Sequence, residues 1–247
     1  MLVLGIDFET TGLDASVDRI IEIGAVLWDS VREAPVEILS TLVIQDNLAS
    51  ELPDEITAIT GIDAKMLREH GEHAPGAFSR LASLGEKSDF FAAHNADFDR
   101  GFYDAQFSRL TGLKKPERHW IDTTRDIPGI ENMPSRRLMH VAAELGFLNP
   151  FAHRAVFDVL TMLKILQRFP LDDVVSLSRE PELTLRAVVA KPWEDKGVGV
   201  ALAKKLGYRW DAEGKLWLKP VKKPNLQNEL QRAEKNQLKV VLLEQAS

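Results

Sequence analysis

Residues 2–8, IIEIGAVLW at 20–28 and VEILSTLVI at 36–44 are aliphatic and β-branched, and turn-forming segments separate them. Such runs read as strands, and three in succession predict an antiparallel meander. The spacing then changes. Pro53 opens a helical stretch, PDEITAIT, that Gly61 stops; proline is favourable in a first helical turn. Residues 74–86 predict a second helix. DFFAAHN at 89–95 predicts a short buried strand, and residues 97–110 a helix with Phe98 and Phe102 one turn apart. HWI at 119–121 reads as a last strand of this series. SRRLMHVAAELG at 135–146 has a serine start, a glycine stop and helical apolar spacing, and AVFDVLTMLKILQRF at 155–169 predicts a helix halted by Pro170. Strands first, then strands alternating with helices, predict a mixed α/β sheet.

Near residue 180 the pattern restarts. LRAVVAK predicts a strand, KGVGVALAKKLG a helix, and YRWDAEGKLWLK a hairpin turning at AEG. KKPN at 222–225 breaks the chain, and LQNELQRAEKNQLKVVLLE predicts a terminal helix. Charge divides at the same place. Residues 1–184 hold 18 Lys and Arg against 30 Asp and Glu, net −12, whereas residues 185–247 hold 13 against 7, net +6. The reading is a domain over residues 1–180 and a small basic α+β module over 181–247, each suited to different partners. In the module Trp210 and Trp217 flank the hairpin turn, with Lys204, Lys205, Arg209, Lys215 and Lys219 around them. Aromatics among cations can stack bases and neutralise phosphates. The plainer alternative makes both tryptophans the core of a mini-domain short of other apolar residues. The pattern LG-x-RWD…K-x-W resembles a small, poorly understood module of some plasmid primases. QLKVV at 237–241 resembles sliding-clamp-binding peptides, which would give the module a replication or repair protein as partner; simple packing of the helix is the plainer alternative.

Composition narrows the chemistry. Of 247 residues, 45% are apolar and 28% charged, as in ordinary globular chains. No stretch approaches the ~18 apolar residues of a membrane span, and the N-terminus MLVLGIDFETTGLD meets acids by residue 7, so a cytoplasmic protein without a membrane partner is expected. With no cysteine, disulfides, zinc–thiolate sites and thiol nucleophiles are excluded. A metal here needs carboxylates and histidines.

Asp7 and Glu9, two apart on the first strand, point to one face. Two carboxylates there are costly to bury unless a cation compensates them, and oxygen donors suit Mg²⁺ or Mn²⁺; a strand ending in solvated acids is the alternative. Gly12 permits a tight turn in the following TTGL, whose amides and threonine hydroxyls can meet substrate oxygens. HNADFD at 94–99 stands where a buried strand hands over to a helix. Asp97 is placed to cap that helix and Asp99 falls in its first turn, while His94 and Asn95 can face a substrate backbone. AHRAVFD at 152–158 sets His153 before a helix and Asp158 inside its apolar stretch, where a lone acid is either partly exposed or a ligand. A histidine near metal-held water can accept its proton near neutral pH.

DFETTGLD at 7–14, AHNADFD at 93–99 and HRAVFD at 153–158 resemble, in order and spacing, the motifs of the DEDDh 3′–5′ exonuclease family, which includes the proofreading subunit of the bacterial replicase. The resemblance covers roughly residues 1–170 and extends to DRIIEIGAV and PDEITAITGI. It implies a ribonuclease-H-like fold: a mixed sheet of three antiparallel then parallel strands, flanked by helices. It implies four metal-binding acids at Asp7, Glu9, Asp99 and Asp158, and a general base at His153. Asp97 falls on a variable position. Thr10, Thr11, Leu13, His94 and Asn95 match positions lining a terminal-nucleotide pocket. Thr60 departs from the family, where many members have histidine. The implied mechanism uses two Mg²⁺ or Mn²⁺ ions ~3.5–4 Å apart at the scissile phosphate, and releases nucleoside 5′-monophosphates from a single-stranded or frayed 3′ end. DNA is the favoured substrate and RNA the alternative; a non-catalytic nucleic-acid-binding or replisome-adaptor protein is the reading from another class.

Overall fold

The computed structural model describes residues 1–45, 52–190 and 197–243. The chain divides into two compact units, Met1–Ser178 and Arg179–Ser247.

The first unit is built on the three apolar runs. They form β1 (Leu2–Thr10), β2 (Ile20–Asp29) and β3 (Ala34–Ile44), paired antiparallel in sequence. β4 (Glu72–His73) adds parallel to β3; β5 (Phe90–Ala93) and β6 (His119–Asp122) add parallel beyond β1. The order β4-β3-β2-β1-β5-β6 is the expected mixed sheet. Every residue of β2 is buried, so helices must cover both faces. On one face α3 (Ala74–Lys87) and α4 (Ala96–Arg109) bring Phe78, Leu81, Phe102 and Tyr103 against Leu4, Ile6 and Ile23. On the other, α6 (Ala155–Leu166) brings Val159, Met162 and Leu163 against Val3, Val26 and Trp28. Two sheet glycines set the distance of α6. A Cβ at Gly5 would stand 2.7 Å from Val159, and one at Gly24 would stand 2.3 Å from the Ala155 carbonyl carbon.

The remaining helices are short. α1 (Asp54–Thr60) ends at Gly61, whose φ of 71° suits the glycine. α2 (Ala64–His70) and α7 (Leu171–Arg179) were not foreseen. The helix expected over 135–146 reduces to α5 (Leu138–Glu144).

In the second unit β7 (Glu182–Ala187), β8 (Arg209–Asp211), β9 (Leu216–Lys222) and β10 (Val240–Leu243) form a sheet of order β10-β7-β9-β8. α8 (Val198–Lys205) and α9 (Leu226–Lys235) accompany it, and the core gathers Leu185, Ala203, Leu206, Tyr208, Val221, Ala233 and Leu238. Lys219 and Glu229 form a buried ion pair at 2.6 Å. The expected terminal helix is corrected: it stops at Lys235, Gln237 takes a left-handed φ of 59°, and VVLL pairs antiparallel with β7. Lys191, Lys196 and Glu244, the ends of three expected elements, lie outside the described residues. Among the described residues no helix is long and apolar enough to cross a membrane.

Candidate active site

The site lies at the C-terminal end of β1, where α4 and α6 begin. Asp7 and Glu9 are half-buried on one face of β1, while Ile6 and Phe8, before and between them, are buried. Asp99, in the first turn of α4, is buried and its Oδ1 accepts the Phe8 backbone N–H at 3.1 Å. Asp158, in the first turn of α6, is held at both oxygens: Asn149 donates to Oδ1, and the His153 backbone N–H donates to Oδ2 at 3.1 Å. His153 is exposed and left-handed at φ 62°, a conformation unusual for a residue with a side chain. Atoms of Glu9, His153 and Asp158 able to ligate a metal all lie within 4.8 Å of one another.

Burial, and after it their crowded charge, shifts these acids upward. Burial, then Asp99, Glu9, Asp158 and Glu22, hold Asp7 well above the carboxylate range. Burial and the charges of Glu22 and Asp158 push Glu9 up to about 7 against the relief of Arg154. Burial raises Asp99 despite its amide bond from Phe8. Burial raises Asp158 too, opposed by His153 and Asn149. Acids packed this way resist ionisation until a cation joins them. An all-carboxylate donor set with one imidazole at its margin fits Mg²⁺ or Mn²⁺.

Several residues that build the site were not singled out from the sequence. Glu22 stands opposite Glu9 in the β1–β2 register and is 1% exposed. Arg154 grips it through Nε at 3.1 Å and Nη2 at 2.8 Å, and the Ala155 N–H at the start of α6 donates to it at 3.1 Å. Glu22 thus fixes the stretch carrying His153 and Asp158. Its sequence signal was a lone acid inside IIEIGAVLW. Asn149 had no such signal.

The residues matched to a nucleotide pocket form two loops. Thr10 donates its hydroxyl to the Gly12 carbonyl at 2.6 Å, and Thr11 donates to Asp18 at 3.1 Å. A Cβ at Gly12 would stand 2.4 Å from the Asp18 carboxylate, so a side chain there would push Asp18 out of its bond to Thr11. Arg109 of α4 ties the loop down by donating to the Ala15 and Ser16 carbonyls at 2.6 and 2.8 Å. Leu13 is 87% exposed at its tip. Burial lowers the His94 pKa, and its neutral ring bridges Thr123 at 2.8 Å and the Arg136 carbonyl at 2.7 Å, so both ring nitrogens are engaged. Asn95 is exposed and left-handed at φ 82°. Asp97 does not cap α4. The cap position is Asn95, and Asp97 pairs with Arg125 at 2.9 Å, which also pairs with buried Asp122 at 2.7 Å. Thr60 locks the end of α1, donating to the Ile56 carbonyl at 2.8 Å and accepting the Ile62 N–H at 3.1 Å.

The RNase_T family model, described as exonuclease, matches residues 4–166. The chain is 36% identical over 166 residues to a PolC-type DNA polymerase III of Thermotoga petrophila, covering 66% of this chain and 11% of that protein. It is 33% identical over 166 residues to the DNA polymerase III subunit epsilon of Treponema pallidum, covering 64% of this chain and 72% of the relative. The chain therefore spans only about a tenth of the PolC-type relative and most of the epsilon subunit. Among solved structures, the nuclease domain of 3′hExo, a DEDDh family member bound to rAMP, superposes with a TM-score of 0.58 at 19% identity, over 69% of this chain and 92% of that one. At that identity the likeness is one of fold.

Proposed function

The chain belongs to the RNase_T exonuclease family, and from this premise we propose that it is a DEDDh-type enzyme that hydrolyses the terminal phosphodiester at DNA 3′ ends, releasing nucleoside 5′-monophosphates. The observation that carries the reading is the convergence of four acids with raised pKa values beside an exposed histidine. In this reading Asp7, Glu9, Asp99 and Asp158 hold two Mg²⁺ or Mn²⁺ ions. Such a pair neutralises charge developing on a phosphate and acidifies water. His153 accepts the proton of the attacking water, and its left-handed backbone keeps the ring at the site's margin while its N–H steadies Asp158. Leu13 and Asn95, both exposed, meet the terminal nucleotide. Thr10, Thr11 and His94 shape the walls of that pocket through their internal bonds.

Residues 1–180 form the catalytic domain in this proposal and residues 181–247 an accessory module. DNA is preferred because the two relatives named above are DNA polymerase III proteins. RNA is the second reading, favoured by the ribonucleotide in the 3′hExo structure. The test pairs Mn²⁺ titration calorimetry with product analysis for His153→Ala. Turnover should fall by roughly 10²-fold or more while Mn²⁺ affinity changes little. Loss of Mn²⁺ binding in this variant would make His153 a ligand instead.

A further inference from the structure

The second unit carries an open groove of about 590 Å³ whose lining includes none of the residues assigned to the acidic site. Arg186, Val200, Lys204, Trp210, Lys215 and Trp217 line it. The two tryptophans face each other across the β8–β9 pair, ring centroids 5.5 Å apart and tilted by 54°. Their environments differ. Trp217 packs against the core of the unit, whereas Trp210 is 51% exposed. Burying a large apolar side chain is favourable, yet this small unit leaves Trp210 in solvent. The Lys204 ammonium lies 5.8 Å from the Trp217 ring centroid. Among the described residues Arg186, Lys204 and Lys215 form no ion pair, and no acid lines the groove. An aromatic platform fringed by unpaired cations is complementary to flat, uncharged rings strung on an anionic backbone.

We propose that this groove binds single-stranded nucleic acid. A base stacks on Trp210 against the wall made by Trp217, and Arg186, Lys204 and Lys215 take the neighbouring phosphates. The volume suits one or two nucleotides, within the usual range of small-ligand sites. The proposal rests on the exonuclease reading only for its use, which is to give the chain a second hold on the strand it trims.

The experiment uses the full chain in EDTA, where metal-dependent hydrolysis cannot interfere. Fluorescence anisotropy follows 5′-labelled dT20, rU20 and an abasic deoxyribose-phosphate strand of equal length. Trp210→Ala should weaken dT20 binding on the order of tenfold, leave abasic binding nearly unchanged, and be rescued by Trp210→Phe. Lys204→Gln with Lys215→Gln should weaken all three strands and reduce the salt slope by ~0.7 for each phosphate that is no longer neutralised. Tighter binding of either dT20 or rU20 than of the abasic strand supports the proposal, and the stronger of the two shows which sugar the groove accepts. Melting curves of each variant confirm that it is folded. Equal binding of base-bearing and abasic strands by the wild type, or dT20 binding by Trp210→Ala equal to wild type, would overturn the proposal. Because binding is read without turnover, a chain that binds through Trp210 but hydrolyses nothing would refute the exonuclease reading alone.

Discussion

Glu9 shows at a single residue what the site costs. In the folded chain its carboxyl titrates near 7, against an ordinary 4.5. Below pH 4.5 it is protonated whether the chain is folded or not, and nothing is lost. As pH rises past 4.5 the unfolded chain ionises first, so stability falls until the folded carboxyl also ionises near 7, and then levels off. The loss is at most ~3 kcal/mol. Melting curves in EDTA should therefore show Glu9→Gln gaining on wild type between about pH 5 and 7, with Mn²⁺ erasing the wild type's deficit. Parallel profiles for the two proteins would contradict this. Asp7→Asn and Asp158→Asn should likewise melt at or above the wild-type temperature without metal, yet lose roughly 10³-fold or more in turnover. Turnover by either variant at the wild-type rate in saturating Mg²⁺ would remove these acids from the site. Such residues were legible because short motifs carry them: DFET, HNADFD and HRAVFD each hold their acids within a few positions. Glu22 was not, because its partner Arg154 lies 132 residues away and only folding brings them together.

Among the elements, the seam between β2 and α6 decides where His153 and Asp158 stand. Glu22 holds it by charge and Gly24 by the absence of a side chain. Gly24→Ala forces a methyl into the Ala155 backbone and should cost ~1–3 kcal/mol of stability together with activity. Glu22→Gln keeps the volume but leaves Arg154 without its anion. It should lower kcat about 10–100-fold while KM moves little, since it acts by positioning groups that touch the substrate. A change confined to KM would place Glu22 in substrate binding instead. At this scale the long apolar runs predicted their strands, and AVFDVLTMLKIL its helix, because a single periodicity governs each. Errors fell where a signal was short. α2 carries a readable cap, Asp63, which accepts the Met66 N–H at 2.7 Å, but only seven helical residues follow. The terminal run reads as one helix because its apolar residues keep partly helical spacing, whereas VVLL begins with two β-branched residues and finds an open strand edge at β7.

For the molecule as a whole, the change in charge near residue 184 and the division at Ser178 fall close together. Truncation after Ser178 should leave a folded protein that still trims short oligonucleotides, because Asp7 through Asp158 all precede the cut. The full chain should bind long strands more tightly and lose that affinity more steeply with salt, by ~0.7 in slope for each phosphate the basic unit neutralises. Equal salt slopes would take the basic unit out of strand binding. What the sequence could not show was how Trp210 and Trp217 share the work of core and surface, since both sit in one hairpin with similar neighbours. The most direct test of the central reading is digestion of one oligodeoxynucleotide labelled at its 5′ end in one sample and at its 3′ end in another, with Mg²⁺, Mn²⁺ or EDTA. The predicted result is a descending ladder from the 5′-labelled strand and immediate release of labelled mononucleotide from the 3′-labelled one, with both abolished by EDTA and by Asp7→Asn. Intact strands with either metal, or mononucleotide released first from the 5′ end, would contradict it.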